Sequence, residues 1–191
     1  MPKQLIKDLG IQCNALHTSR LIYDILSAYY PRYVYVVMKA IIIYHTRYGN
    51  TERIAKSLEI GLKESSSIQH VICINARDVI SVDTLKEYNI ICIGAPTEGF
   101  SAPKPIKQFL GKMKGVNLAG NYGFAFDIRL SSRFSGSAAK YIEKELKSQG
   151  LQIISPLESA IVFTLKDGAR LKEGEDKRFE QVGLQLGIAS V

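Results

Sequence analysis

Tryptophan is absent from the 191 residues, and the three cysteines and three histidines form no recognisable cluster. Cys13, Cys73 and Cys92 are odd in number and include no C-x-x-C pair, which argues against a disulfide framework or a thiol redox motif. Cys73 and Cys92 fall in apolar runs and read as small buried hydrophobes. His17, His45 and His70 stand far apart without acidic companions at ligand spacing, so no protein metal site is expected. No apolar run approaches the roughly 20 residues that cross a bilayer. Nor does a small-residue cleavage site follow a clean apolar core near the start. The expectation is a soluble, cytoplasmic protein without a membrane span. Low-complexity tracts are missing too, and 46% hydrophobic residues with 15 glycines and 6 prolines suit an ordinary globular domain.

Charge of one sign is in excess: 25 basic residues against 18 acidic give a net +7. Such an excess admits nucleic acid, an anionic membrane surface, acidic partners or an anionic substrate. The basic residues are spread along the chain except for Lys104, Lys107, Lys112 and Lys114, which share one predicted helix and whose solvated face would account for them. Specific nucleic-acid binding is therefore not expected.

The residues that are present alternate between two periods. KAIIIYH (39–45) is a short β-branched run that enters a turn-rich loop, TRYGNT. From Thr51 the apolar spacing becomes three and four, with Ile54, Leu58 and Leu62 on one face and Glu52 in the first turn, so a helix follows. HVICIN (70–75) and NIICIGAP (89–96) read as further strands, with a short helix or turn at 81–88 between them. Next comes a helix carrying Ile106, Phe109, Leu110 and Met113, with Pro103 or Pro105 at its first turn. A strand at 121–127 precedes a helix carrying Ala138, Ile142 and Leu146, with Gly150 suited to its C-terminal cap. LQIIS and AIVFTL read as one interrupted strand or two short ones, and the last helix turns Phe179, Val182 and Leu186 inward. The economical architecture is an α/β fold, a doubly wound five-stranded parallel sheet with helices on both faces. Its functional crevice should lie at the carboxyl ends of the strands.

Residues 1–37 stand outside this rhythm, and Met38 immediately precedes the first core strand. Two expectations follow. Either 1–37 are an N-terminal extension created by an over-called start, the favoured reading, or LIYDILSAYY is an amphipathic arm. In both, residues 38–191 form a complete domain.

HTRYGNTERIA (45–55) carries the clearest chemistry. A helix N-terminus offers unpaired N–H groups and the positive end of a dipole, Gly49 permits a tight turn, and Thr46, Asn50 and Thr51 supply side-chain donors beside Arg47. A phosphate monoester fits that set, whereas neither a P-loop nor a G-x-G-x-x-G fingerprint is present. Thr and Asn are also ordinary capping residues, so this loop by itself leaves a plain cap open. Two more loops, APTEGFSAP (95–103) and FDIRLSSRF (126–134), end the next two core strands and would converge on the same crevice.

Together the three loops resemble the flavodoxin family over residues 38–191. The family's first loop, [ST]-x-T-G-x-T, corresponds to Thr46, Arg47, Tyr48, Gly49, Asn50 and Thr51, and the second to Pro96, Thr97, Glu98, Gly99 and Phe100. The resemblance implies strand order 2-1-3-4-5, flavin mononucleotide (FMN) as cofactor, and Asp127 and Arg129 of the third loop near the flavin's pyrimidine edge. Gly99 is implied as the residue whose carbonyl meets the reduced ring, though a turn glycine would read the same. Tyr48 stands where ordinary flavodoxins have threonine, Glu98 falls near the inner stacking aromatic, and Ser131 replaces the outer tyrosine. Two functions are compatible with the resemblance. One is electron transfer between redox partner proteins, which the basic charge would make acidic. The other is an FMN-dependent oxidoreductase acting on a quinone or another aromatic substrate, including the protoporphyrinogen type.

Overall fold

Beyond Lys39 the segment MKAIIIY carries no charge, and it becomes β1 (Met38–Tyr44), an interior strand buried on both faces. The computed structural model describes residues 38–132, 134–165 and 168–189. The expectations for 1–37, together with Cys13 and His17, lie outside the described residues. After β1 come α1 (Asn50–Glu64), β2 (Ile68–Asn75), a 3₁₀ turn (Val82–Glu87), β3 (Ile90–Pro96) and α2 (Lys104–Met113). They are followed by β4 (Tyr122–Leu130), α3 (Ala138–Ser148), β5 (Gln152–Ile153), β6 (Glu158–Leu165), β7 (Gly168–Leu171) and α4 (Glu175–Ala189).

The sheet runs β2-β1-β3-β4-β6-β7, with β5 also paired to β4. Its first four places follow the expected order. The fifth is shared: β5 pairs in parallel with Tyr122 and Gly123, and β6 with Phe126–Leu130 further along the same strand. Pro156, which has no N–H to give a ladder, stands between them. The sheet is thus seven-stranded rather than five-stranded, and β7 makes it mixed by pairing antiparallel to β6. GARL is too short to show a period of two, which is why the sequence hides this strand.

Alternate residues of β1 feed two cores. Ala40, Ile42 and Tyr44 join Ile54, Leu58, Phe126 and Phe179 under α1 and α4, while Ile41 and Ile43 join Ile93, Ile106, Leu110 and Ile142 under α2 and α3. Each such isoleucine or phenylalanine contributes about 1.5–3 kcal/mol by leaving water. Of the described cysteines, Cys92 is fully buried in this interior and Cys73 packs partly buried against it. Burial pushes the Cys73 thiol up to about 12 and the fully buried Cys92 thiol higher still. Since the thiolate is the nucleophile, iodoacetamide at pH 8 is expected to leave Cys73 and Cys92 unmodified until the protein is denatured. Peptide mass spectrometry reads this, and rapid native labelling of either would contradict the packing.

Polar ties bring α4 and β7 to the mouth of the crevice. Arg178 donates to Glu158 at 2.6 Å, to Glu175 at 2.7 Å and to the carbonyl of Ser159 at 2.6 Å, holding α4 to β6. Arg53 of α1 pairs with Asp176, its Nε at 2.9 Å from Oδ1. Asn50 Nδ2 donates to the Ala169 carbonyl of β7 at 2.8 Å.

Candidate functional site

The carboxyl ends of β1, β3 and β4 lead into three loops at one edge of the sheet. In the first, His45 is buried, and burial together with the Arg77 charge holds its imidazole below its ordinary pKa. Gly49 occupies the N-cap of α1 with φ +80°, and no side chain caps the helix. The first N–H groups of a helix lack intrahelical partners, so an uncapped start presents donors and positive dipole together. Thr46 Oγ1 is buried without a hydrogen-bond partner, and Thr51 is buried beside the turn. Arg47 lies 5.3 Å from the ring centroid of Tyr48, which is 62% exposed. Asn50, expected as a phosphate donor, lines the cavity and gives one of its two amide N–H groups to β7.

In the second loop, Thr97 N–H donates to the Ile128 carbonyl at 2.8 Å, tying the loop to β4. Glu98 and Ser101 exchange backbone hydrogen bonds of 2.9 and 3.1 Å around Gly99 (φ +53°) and Phe100 (φ +67°). Two central residues with positive φ mark a type I′ turn. Gly99 suits it, whereas a bulky residue such as Phe100 is strained there by about 1–3 kcal/mol.

The third loop differs most from expectation. Asp127 is 0% exposed, and its Oδ2 accepts from Ser137 Oγ (2.6 Å), Ala139 N–H (3.0 Å) and Thr97 Oγ1 (3.1 Å). It stands behind the crevice rather than on its wall. Arg129 does line the wall, its Nη1 3.4 Å from the Gly136 carbonyl and its Nε buried without a partner. Thr46, Arg47, Tyr48, Asn50, Thr51, Pro96, Thr97 and Glu98 share that wall, around a cavity of about 200 Å³. A second cleft of about 320 Å³ shares Thr97 and Leu130 with the first and adds Gly99 and Phe100.

Sequence reasoning missed two contributions. Phe134, 83% exposed, lines the second cleft with Ser132 and Ser135, supplying a third-loop ring three positions beyond Ser131. It is the only aromatic residue of IRLSSRF, and that was the available signal. Val162, Thr164 and Ala169 reach the first cavity from the β6–β7 hairpin, which the sequence did not reveal. The basic helix α2 stands apart from both cavities, with Lys114 paired to Glu145 at 3.1 Å and Lys107 5.1 Å from the Tyr141 ring centroid.

A doubly wound sheet with an uncapped, glycine-turned helix start and an adjoining aromatic-edged cleft defines an α/β protein that receives a phosphorylated planar ligand. The chain belongs to the flavodoxin family: the family model described as Flavodoxin domain matches residues 41–159, more than half of the sequence. It is 35% identical over 89 residues to the flavodoxin of Clostridium saccharobutylicum, covering 47% of this chain and 54% of that one. Against the flavo-diiron protein FprA2 of Clostridium acetobutylicum it is 30% identical over 143 residues, covering 71% of this chain and 34% of that one. Among solved structures, a flavodoxin from the domain Archaea matches with TM-score 0.67 and 24% identity over 80% of this chain and 99% of that one. The rubredoxin oxygen:oxidoreductase of Desulfovibrio gigas matches with TM-score 0.66 and 15% identity over 80% of this chain and 36% of that one. At those identities the likeness is one of fold. The chain spans about half, or less, of the length of the curated relatives it matches.

Membership of the family makes FMN the cofactor. The residues present fit that group. A buried, unpartnered threonine hydroxyl and an uncapped helix start suit a phosphate dianion, and the open cleft between Phe100 and Phe134 suits a flat ring. Among the described residues, no helix is long and apolar enough to cross a membrane.

Proposed function

We propose that this chain is an electron carrier that shuttles between redox partner proteins. The observation that supports this most directly is the exposure of the cleft's rings: Phe100 is 72% and Phe134 83% exposed, so the cleft opens to solvent between them. A flavin supplies the redox chemistry, accepting and releasing electrons, and the protein supplies orientation and electrostatics. In this reading Thr46 Oγ1, Thr51 and the backbone N–H groups after Gly49 hold the phosphate, with Arg47 adding charge. Thr97, Glu98 and Gly99 present the second loop's backbone to the ring. Arg129 favours the reduced, more negative state and so raises the potential. The net +7 favours partners with acidic docking faces, whose association would slow as salt rises.

The test is visible spectroscopy of protein incubated with FMN, desalted, and reduced stepwise without oxygen. Retained yellow colour that bleaches in two separate one-electron stages supports the carrier. Bleaching in a single two-electron step, with turnover of a quinone at the expense of NAD(P)H, would replace the carrier with an oxidoreductase acting on aromatic substrates. A colourless protein after desalting would count against FMN itself.

A further inference from the structure

We propose that Asp127 is a positioning residue which, through the Thr97 hydroxyl, fixes the loop 97–101 that receives the flavin ring, without touching the ring itself; this rests on the cofactor reading above. Three elements meet at one buried carboxylate oxygen. Asp127 lies within the buried run of β4, Thr97 begins the second loop, and Ser137 and Ala139 belong to the start of α3. Oδ2 accepts a hydrogen bond from each of these three residues. Thr97 Oγ1 donates to Oδ2 and accepts from the Ala138 N–H at 2.8 Å. The hydroxyl is thereby used in both directions, which leaves the Thr97 side chain one orientation. Ser137 Oγ likewise donates to Oδ2 and accepts from Lys140 N–H at 3.2 Å, capping α3. A carboxylate at a helix N-terminus is favoured by the dipole, and hydrogen bonds to a charged acceptor are the stronger kind.

The tip of the same loop needs such an anchor. Phe100 holds a positive φ that its side chain disfavours, and a strained backbone persists only where its surroundings over-determine it. On one side Thr97 is tied to Asp127. On the other, Ser137 N–H donates to the Phe100 carbonyl at 3.3 Å. The turn is thus held at both ends by the first residues leading into α3, and Asp127 joins those residues to the sheet. Thr97, Gly99 and Phe100 of the loop line the second cleft, whereas Asp127 does not.

Thr97 permits a clean test because its methyl and hydroxyl can be removed separately. Thr97→Val keeps the shape and loses the hydroxyl, whereas Thr97→Ser keeps the hydroxyl and loses the methyl. The first measurement uses flavin-free protein. Hydrogen exchange at the Glu98 and Ser101 amides should quicken about tenfold in Thr97→Val, stay at the wild-type rate in Thr97→Ser, and leave α1 unchanged in both. The second measures affinity and potential. In Thr97→Val and Asp127→Asn, the affinities for FMN and riboflavin should fall together, by about tenfold, because the ring site and not the phosphate turn is disturbed. The midpoint potential should shift as well, which a general loss of stability would not cause. Wild-type exchange at Glu98 and Ser101 in Thr97→Val, or equal effects of valine and serine, would overturn the proposal. If the exchange contrast appears but wild-type protein takes up no FMN, the cofactor reading fails and the bracket stands.

Discussion

Replacing Gly49 with valine is expected to lower FMN affinity at least about a hundredfold while the far-ultraviolet circular dichroism spectrum stays that of the native fold. The residue caps α1 with φ +80°, a conformation that costs an L-residue about 1–2 kcal/mol and is worst for a β-branched one. A Cβ at this position meets no atom within 4 Å, so the fold suffers no collision. The strain is instead relieved by rotating the turn, which re-aims the N–H groups at the start of α1. Hydrogen bonds to a charged group are each worth about 1.5–3 kcal/mol, so losing two accounts for a hundredfold or more. Riboflavin, which lacks the phosphate, is the control. Its affinity should hardly change in Gly49→Val, in contrast to the joint loss expected when the second loop is loosened. Isothermal titration with both ligands checks this. Full FMN occupancy in the variant would show that the first loop does not hold the phosphate.

That glycine was legible in the sequence, and the reason is physical. A β-branched run, a turn residue and an acid-started helix each leave a local mark, and their succession locates the crevice without tertiary information. The same holds for β1 and β3, whose burial on both faces disfavours polar residues and so writes long apolar runs. The third loop obeyed no such local rule. Asp127 reads as a loop-end carboxylate that should meet solvent or ligand, yet it is buried because Thr97, distant in sequence, and Ser137 supply donors. A long-range hydrogen bond has no period. Phe134 was hidden for a similar reason: an aromatic residue in an irregular loop carries no pattern that says which way it faces. β7 escaped notice because its pairing residues depend on β6 and not on their own composition.

The largest stability effect is expected at a crossing that the sequence marks only by two glycines. α1 and α4 approach face to face at Gly61 and Gly183. A Cβ on Gly61 would collide with the Glu180 carbonyl oxygen and come within 2.8 Å of the Glu180 carbonyl carbon and the Leu184 nitrogen. A Cβ on Gly183 would collide with the Leu58 carbonyl and come within 2.9 Å of the Leu62 nitrogen. Every atom met is backbone, so no rotamer change can make room and the helices must part. Ordinarily Gly→Ala inside a helix gains up to about 1 kcal/mol. Here that gain is overcome, because parting the helices loosens Leu58, Leu62, Phe179 and Leu186 in one core. Overpacking of this kind costs about 3 kcal/mol, and Gly61→Ala should lower the midpoint of thermal unfolding by about 10 °C. Gly111 of α2 provides the opposite case, since a Cβ there meets nothing within 4 Å. Gly111→Ala should therefore raise the midpoint by up to about 3 °C, as an open helical position allows. Opposite signs for the two alanines, read by calorimetry on flavin-free protein, would establish that close backbone approach sets the need for Gly61. Stabilisation by both would mean that α4 does not press against α1 at Gly61. Because Asp176 of α4 pairs with Arg53 one turn into α1, a displaced α4 also pulls on the helix start that holds the phosphate. Gly61→Ala should then weaken FMN binding more than riboflavin binding, linking a crossing far from the crevice to its anion site.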